Sequence, residues 1–459
     1  MSTKVAWISA ELAPFVKVGG LADVSSALPK ELKRLNVDVR IIIPYYTNIV
    51  INGLERTEIY LEDPFGEEIQ IYETKDELSG VIIYLLKHPI FLDEPYKGDL
   101  NAKFTMFNLL TANFILINKK WTPDIIHTND WHTGLLPYLM RKHKEIKNIF
   151  TIHNIAFQGK MSIDHLKSLF IDVDELEISN NEVNFMKIAI GFSDQITTVS
   201  EKYAEEILTR EYSFGLDDDL QNHSNKVIGI LNGIDNSIYD PSGDEVLLVK
   251  YDVKNLEKRF ENKIDLLNKL EFKYSERLLI GLTTRLYDQK GIDLLIDSIP
   301  SIINTGINIV VLGTGDQKYE SKLSDIEKKF PNNFKFLNYY NEKISHQIFA
   351  GVDCLLIPSR YEPCGLTQMY AMRYGAVPIV RATGGLADTV IENNSKQNGF
   401  LFEKYLMDDL IFAINRANKA FENKIKWMEI QKNGMQRDWS WKKSALKWVN
   451  LYNKNLGND

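Results

Sequence analysis

At 459 residues, 44% hydrophobic and 25% charged, the chain is too long for one hydrophobic core and ordinary in composition for a globular protein, so two or three domains are expected. A formal net charge of −8 without a basic stripe argues against nucleic acid, and no run approaches the ~18 to 20 apolar residues of a membrane span, so neither partner is expected. Its two cysteines, Cys354 and Cys364, form no disulfide framework and no CxxC metal pattern, and Glu11 cuts the first apolar run too early for a signal core; a reducing cytoplasm is expected.

In chain order, a strand (Val5 to Ser9), a helix (Leu21 to Leu35) and a strand (Val37 to Ile43) make a βαβ unit. Its first loop, Lys17-Val18-Gly19-Gly20, precedes Asp23 on the first helical turn. Paired glycines let the backbone approach a bound group and Lys17 can reach a phosphate, although a plain turn with a solvated lysine reads equally well. Residues 55 to 100 alternate as strands do and end in a polar loop from Asp93 to Asp99. A helix (Ala102 to Asn118) and a strand (Asp124 to His127) follow.

The stretches His127-Thr128-Asn129-Asp130-Trp131-His132 and Thr151-Ile152-His153-Asn154 both sit at strand ends. Three histidines and an aspartate invite a metal, but they lie on loops without the spacing of a helical HExxH or of paired cysteines. A polar rim for sugar hydroxyls accounts for the same residues, so no metal is expected and His127 reads as structural. Two further helix–strand units lead to Asn232-Gly233-Ile234-Asp235, and Asp240-Pro241-Ser242-Gly243 reads as a linker closing a first domain of residues 1–240.

The second domain, residues 241–436, begins with a helix (Leu256 to Leu270) and a strand (Leu278 to Thr283) that runs into Arg285-Leu286-Tyr287-Asp288-Gln289-Lys290-Gly291. Arg285 can fork onto a diphosphate and Lys290 adds a point charge; two solvated cations are the alternative, which leaves their place at a strand's carboxyl end unaccounted for. Gly313-Thr314-Gly315 begins like a dinucleotide fingerprint, but Lys318 stands at the third glycine, so a dehydrogenase is poorly supported. Tyr339 or Tyr340, after the strand from Phe334, can stack on a base or simply pack.

An apolar run to Pro358 then places Glu362, Cys364 and Gly365 at a strand-to-helix turn. The helix expected from Leu366 to Tyr374 aims backbone N–H groups at any phosphate there, and Glu362 suits sugar hydroxyls; a surface loop reversing at Gly365 is the alternative. Gly-Gly-Leu-Ala-Asp occurs at Gly19 to Asp23 and again at Gly384 to Asp388. The closing stretch, residues 437–459, holds Trp439, Trp441 and Trp448 and reads as a helix packing across both domains.

Seven segments together resemble the bacterial glycogen synthases and plant starch synthases: KVGGLADV (Lys17 to Val24), HTNDWHTGLLP (His127 to Pro137), FTIHNIAFQG (Phe150 to Gly159), LNGID (Leu231 to Asp235), TTRLYDQKG (Thr283 to Gly291), PSRYEPCGLTQMYAMRYG (Pro358 to Gly375) and TGGLADTV (Thr383 to Val390). The resemblance implies a GT-B fold: two Rossmann-like doubly wound α/β domains facing across a deep cleft, with the C-terminal helix crossing back to the first. It implies a retaining enzyme that moves glucose from ADP-glucose to the 4-hydroxyl end of an α-1,4-glucan (glycogen or a maltooligosaccharide), without cofactor or metal. By that resemblance Lys17 binds the donor, Arg285 and Lys290 neutralise its diphosphate, Glu362 orients the glucose and His153 lies at the sugar. Asp130 and Asn232 line the cleft, Gly365, Leu366 and Thr367 meet phosphate through backbone donors, and Tyr340 stacks the base.

The donor set also takes in Gly20, Asp23, Cys364, Thr383, Gly384 and Gly385. Thr284 replaces a common serine, Asn129 a common histidine, and the loop from Phe91 to Asp99 lacks an arginine many members carry. The alternatives are a nucleotide-sugar epimerase or hydrolase, a glucan phosphorylase, and a glucan-binding protein with an inactive cleft. A plastid location would apply to a plant precursor, but no transit peptide is seen.

Overall fold

Strands alternate with helices through most of the chain, and parallel strands joined by helical crossovers must close a sheet covered on both faces. The computed structural model describes all residues but 1, 48, 52, 92, 93, 275 and 459; Asp93, first residue of the expected polar loop, therefore lies outside the described residues. The chain divides into two units, one of Met1–Asn232 with Trp441–Asp459 and one of Gly233–Ser440.

The first unit contains β1 (Lys4–Ile8), β2 (Asp38–Pro44), β3 (Glu55–Arg56), β4 (Gln70–Lys75), β5 (Ile82–Lys87), β6 (Ile125–Asn129), β7 (Lys147–Ile152), β8 (Lys160–Ser162), β9 (Glu182–Asn184), β10 (Gln195–Thr198) and β11 (Val227–Gly229). Nine of these form one sheet in the order β11-β10-β7-β6-β1-β2-β5-β4-β3, parallel except where β4 pairs with β5 and β3, while β8 and β9 make a separate hairpin. Strand order reverses on either side of β1, so the loops after β1 and β6 share one crevice at the carboxyl edge. These are the loops that carry Lys17 and Asp130.

In the second unit, β12 (Leu279–Thr283), β13 (Asn308–Leu312), β14 (Phe334–Leu337), β15 (Cys354–Ile357), β16 (Val377–Arg381) and β17 (Phe400–Phe402) form an all-parallel sheet in the order β14-β13-β12-β15-β16-β17. That is the 3-2-1-4-5-6 order of a doubly wound nucleotide-binding fold, with its switch point between β12 and β15. Near-continuous apolar strands fit a sheet buried on both faces, and every residue of β13 is buried.

Several boundaries depart from the expected ones. The first unit ends after Asn232, not after residue 240, because Ile234 N–H bonds Trp439 O (2.8 Å) within the second unit. The expected linker is a packed turn: Tyr251 N–H bonds Pro241 O at 3.1 Å, Arg373 meets Asp240 at 3.0 Å, and Asp244 accepts from Tyr374 OH at 2.6 Å. Pro and Gly there serve a turn held by side chains, which composition cannot distinguish from a tether.

The closing helix, Trp441–Leu456, belongs to the first unit, where Trp441, Ala445, Trp448, Leu451 and Tyr452 join the core with Val5, Trp7 and Ile41. Helix Leu100–Ile117 is long and apolar enough to cross a membrane by composition, contrary to expectation. Its buried Lys103 gives Nζ hydrogen bonds to Glu94 O (2.8 Å) and Lys97 O (2.7 Å), and Asn108 Nδ2 bonds His132 O at 2.7 Å; donors tied to the backbone of other segments mark a helix of a protein core. Helices Glu342–Gly351 and Lys424–Gln436 were not expected from the periodicity.

Candidate active site

At the switch point of the second unit, the loop after β12 carries Arg285 and Lys290 and the loop after β15 carries Glu362. Lys290 Nζ donates to both oxygens of Glu362, at 2.9 and 2.7 Å, and Ser359 Oγ donates to one of them at 2.9 Å. The Glu362 side chain is only 10% exposed, so this carboxylate has left most of its hydration for three directed hydrogen bonds. Arg285 is exposed, lies 5.8 Å over the Tyr287 ring and makes no ion pair among the described residues. An exposed arginine thus stands near a lysine already holding a carboxylate.

Close backbone approaches fix both loops. Gly291 has φ +70°, and a Cβ there would lie 2.0 Å from Pro358 O. Arg360 N–H bonds Gln289 O at 2.9 Å, joining the two loops directly. Gly313 and Gly315 pack beneath the turn at Thr284 to Leu286, where a Cβ on Gly313 would meet Thr284 O at 1.8 Å, so these glycines support the arginine loop. Lys318, in place of the third glycine, bonds Asp288 of that loop at 2.7 Å.

The turn at Glu362 to Gly365 rests on the second Gly-Gly-Leu-Ala-Asp segment. A Cβ on Gly384 would lie 2.0 Å from Glu362 O and one on Gly385 1.9 Å from Cys364 O, and Gly385 N–H bonds Glu362 O at 3.1 Å. Thr383 is fully buried beside them, and Cys364 is a buried free thiol. Gly365 has φ +65°, and Gln368 Nε2 ties down the carbonyls of Gly365 (2.7 Å) and Cys364 (3.2 Å). The helix beyond runs from Thr367 to Arg373, shorter than expected, with Leu366 as its N-cap. Tyr340 follows β14 with 75% of its surface exposed, unlike a packing tyrosine.

In the first unit, the loops after β1, β6 and β7 bring Lys17, Asp130 and His153 to one sheet edge, with Asp23 on the first turn of helix Gly20–Arg34 and Asn232 buried at the unit's end. Lys17 Nζ meets Asp23 at 2.7 Å. No atom lies within 4 Å of a Cβ built on Gly19 or Gly20, so the first copy of the glycine segment faces open space where the second is wedged into protein. Glu11, which in the sequence is only the break in the first apolar run, organises this loop: its Oε2 accepts the amides of Val18 and Gly19, both at 2.9 Å, and its Oε1 accepts Tyr96 OH at 2.5 Å. A carboxylate immediately beyond an apolar strand was the signal available.

Asp130 adopts φ 56°, ψ 176°, a region foreign to non-glycine residues, and its Oδ1 accepts the amides of His153 (2.7 Å) and Asn154 (3.2 Å). Burial outweighs those amides and pushes its pKa up to about 7. His153 Nε2 donates to Asn129 Oδ1 at 2.9 Å, since Asn129 Nδ2 is committed to Ile8 O, and burial lowers the imidazole to about 3. His132 is likewise lowered to about 3 by burial, next to Trp131 and Phe104.

His127 is structural, sandwiched between Trp7 (4.2 Å) and Trp448 (4.7 Å) and bonded to Tyr452 OH and Thr151 Oγ1. Among the described residues, the groups close enough to share an ion are instead Asp63, Glu67 and His88. There Asp63 Oδ1 accepts two amides and His88 Nδ1 accepts Ile90 N–H, so His88 turns its protonated Nε2 to Asp63 and the three read as a braced turn.

Two doubly wound α/β units in one chain, the second bearing a lysine–glutamate pair and an exposed arginine at its switch point, define a glycosyltransferase of the GT-B class. The family model described as "Starch synthase catalytic domain" matches residues 4–222, and that described as "Glycosyl transferases group 1" matches residues 264–437. The glycogen synthase of Gloeobacter violaceus is 42% identical over 98% of both chains, and that of Kosmotoga olearia 39% identical over 98% of this chain and 97% of its own. The catalytic domain of starch synthase IV from Arabidopsis thaliana, solved bound to ADP and acarbose, superposes with a TM-score of 0.90 at 34% identity over the whole of both chains. The sucrose-phosphate synthase of Thermosynechococcus elongatus, 16% identical with a TM-score of 0.64, shares the fold. The chain belongs to the family of bacterial glycogen synthases and starch synthases, glucosyltransferases that extend a glucan from a nucleotide-sugar donor.

Proposed function

We propose that the enzyme takes glucose from ADP-glucose and adds it, with retention of the α configuration, to the 4-hydroxyl at the non-reducing end of an α-1,4-glucan such as glycogen or a maltooligosaccharide. The observation that carries this reading is the convergence of Arg285, Lys290 and Glu362 at the carboxyl ends of β12 and β15, where the sheet order reverses. Breaking the bond from C1 to phosphate builds an oxocarbenium-like sugar and adds negative charge to the leaving diphosphate. Arg285 and Lys290 are cations preset for that charge, with the amides of Gly365, Leu366 and Thr367 as further donors.

When the diphosphate arrives, Lys290 shares its charge between phosphate and Glu362, and the Glu362 carboxylate turns to the glucose hydroxyls. The acceptor hydroxyl attacks C1 from the face that the diphosphate leaves; the new C–O bond forms as the C1–O bond to phosphate breaks, and a phosphate oxygen takes the hydroxyl proton. Asp130 and His153, the latter a neutral imidazole, are proposed to hold sugar hydroxyls, and Tyr340 to stack the adenine. The roles of Lys17, Gly20, Asp23, Asn232, Cys364, Thr383, Gly384 and Gly385 in binding the donor rest on the family motifs. Two buried free cysteines suit the cytoplasm.

A donor panel with glycogen as acceptor tests the reading: polymer should grow from ADP-glucose faster than from UDP-glucose. Growth from neither, or release of free glucose without polymer, would refute it. Because two cations and backbone amides meet the developing charge, excess chelator should leave the rate unchanged, and a collapse would show that an ion supplies part of it.

A further inference from the structure

Two phenylalanines of the first unit stand in solvent against each other: Phe65 is 68% exposed, Phe170 is 78% exposed, and their ring centroids lie 6.5 Å apart at an interplanar angle of 59°. Each is held there by a formed turn. Phe170 follows helix Ile163–Ser168, where its own N–H bonds Lys167 O (3.0 Å) and Ile171 N–H reaches back to Leu166 O (3.1 Å). That pattern ends a helix on a left-handed residue, usually glycine, and Phe170 accordingly has φ +57°. A bulky aromatic in this region is a backbone outlier, and here burial of the ring does not offset it.

Phe65 rides on the turn in which Asp63 Oδ1 accepts the amides of Phe65 and Glu67, both at 2.8 Å, with Gly66 at φ +84°. Asp63 is buried and braced by His88. Strain maintained for an exposed side chain points to a function for that side chain.

We propose that Phe65 and Phe170 form an auxiliary binding site for the α-glucan polymer, the apolar C–H faces of successive sugar residues stacking on the two rings. Two phenylalanines offer at most roughly 500 Å² of surface, against about 800 Å² per partner in a stable protein interface, so the patch is small for a second copy and of a size for a few sugar rings. Exposed Glu62, Glu67, Glu68 and Asp172 flank it in sequence. A second protein chain would have to desolvate those carboxylates, whereas a neutral polyol can hydrogen-bond to them. The site rests on the family's polymeric acceptor and is independent of which nucleotide carries the glucose.

The test is the double variant Phe65→Ser with Phe170→Gly, the glycine relieving the left-handed backbone so that the fold is preserved. In native gels cast with glycogen, its retardation should indicate roughly tenfold weaker binding than the parent's, and its KM for glycogen should rise in step while kcat and the KM for maltotriose stay put. Unchanged retardation overturns the site, as does a parent dimer that the variant abolishes, which would make the patch a contact between copies. Retardation needs no turnover, so a protein inert toward every donor would sink the proposed function and leave this test intact.

Discussion

Lys290 and Glu362 neutralise one another in a partly dehydrated pocket, with side chains 19% and 10% exposed, so removing the cation does two things at once. It strips positive charge from the departing diphosphate and leaves a mostly buried carboxylate with Ser359 as its neutral donor. Lys290→Ala should lower kcat by roughly 10²- to 10³-fold, as loss of one preset charge-stabilising group does elsewhere. Near-normal turnover would remove the residue from the diphosphate role.

Asp130 offers a pH signature. Its folded pKa, raised to about 7, lies above the ordinary 3.8, so the folded chain keeps a proton that the unfolded chain releases in between. The stability this contributes is full below about pH 4 and is lost as pH rises through about 7. Asp130→Asn has no such loss, so its melting temperature should gain on the parent's between about pH 4 and about pH 8; a constant gap would contradict the burial argument. His132 and His153, lowered to about 3 from 6.5, act oppositely, their contribution draining away as pH falls below about 6.5 in parent and variant alike. Lys17, Arg285, Lys290 and Glu362 were legible in sequence as charged residues of strand-to-helix turns, because each follows an apolar run and precedes a helical pattern, while their roles came only with the family motifs. Glu11 was not, because its work is to accept amides seven and eight residues away, a relation that needs the folded loop.

Among the elements, the loops after β12 and β15 act as one piece because Gly291 lets their backbones touch. Gly291→Ala would set a methyl 2.0 Å from Pro358 O on a residue at φ +70°. We expect roughly 1–2 kcal/mol of lost stability from the left-handed backbone alone, more from the clash, and a fall in kcat as Lys290 shifts. Parental melting temperature and rate together would show that the approach is not needed. Most strands and long helices followed from period and punctuation, since each buries an apolar face along its own length. Helix Lys424–Gln436, with three lysines among four of its residues at 424–426 and 432, was hidden because it buries little besides Trp427, Ile430, Gly434 and Met435. The segment 240–243 reads as a tether for a related reason: the partners that hold it, Arg373 on Asp240 and Tyr374 on the adjoining Asp244, lie far along the chain.

For the molecule as a whole, division into two units was predictable from length and the two runs of strand–helix alternation, but the division points were not, because they depend on where residues 441–459 end up. Trp448 and Tyr452 close over His127 on β6 and join the core laid down by β1 and β2. A chain cut after Ser440 should therefore lose cooperative unfolding of the first unit in denaturant while the second still melts as a unit; two intact transitions would show the helix to be dispensable. The placement also bears on biosynthesis. A ribosome making this protein finishes the second unit before it supplies residues 441–456, so the amino-terminal half must wait, with part of its apolar interior uncovered, until that helix has emerged.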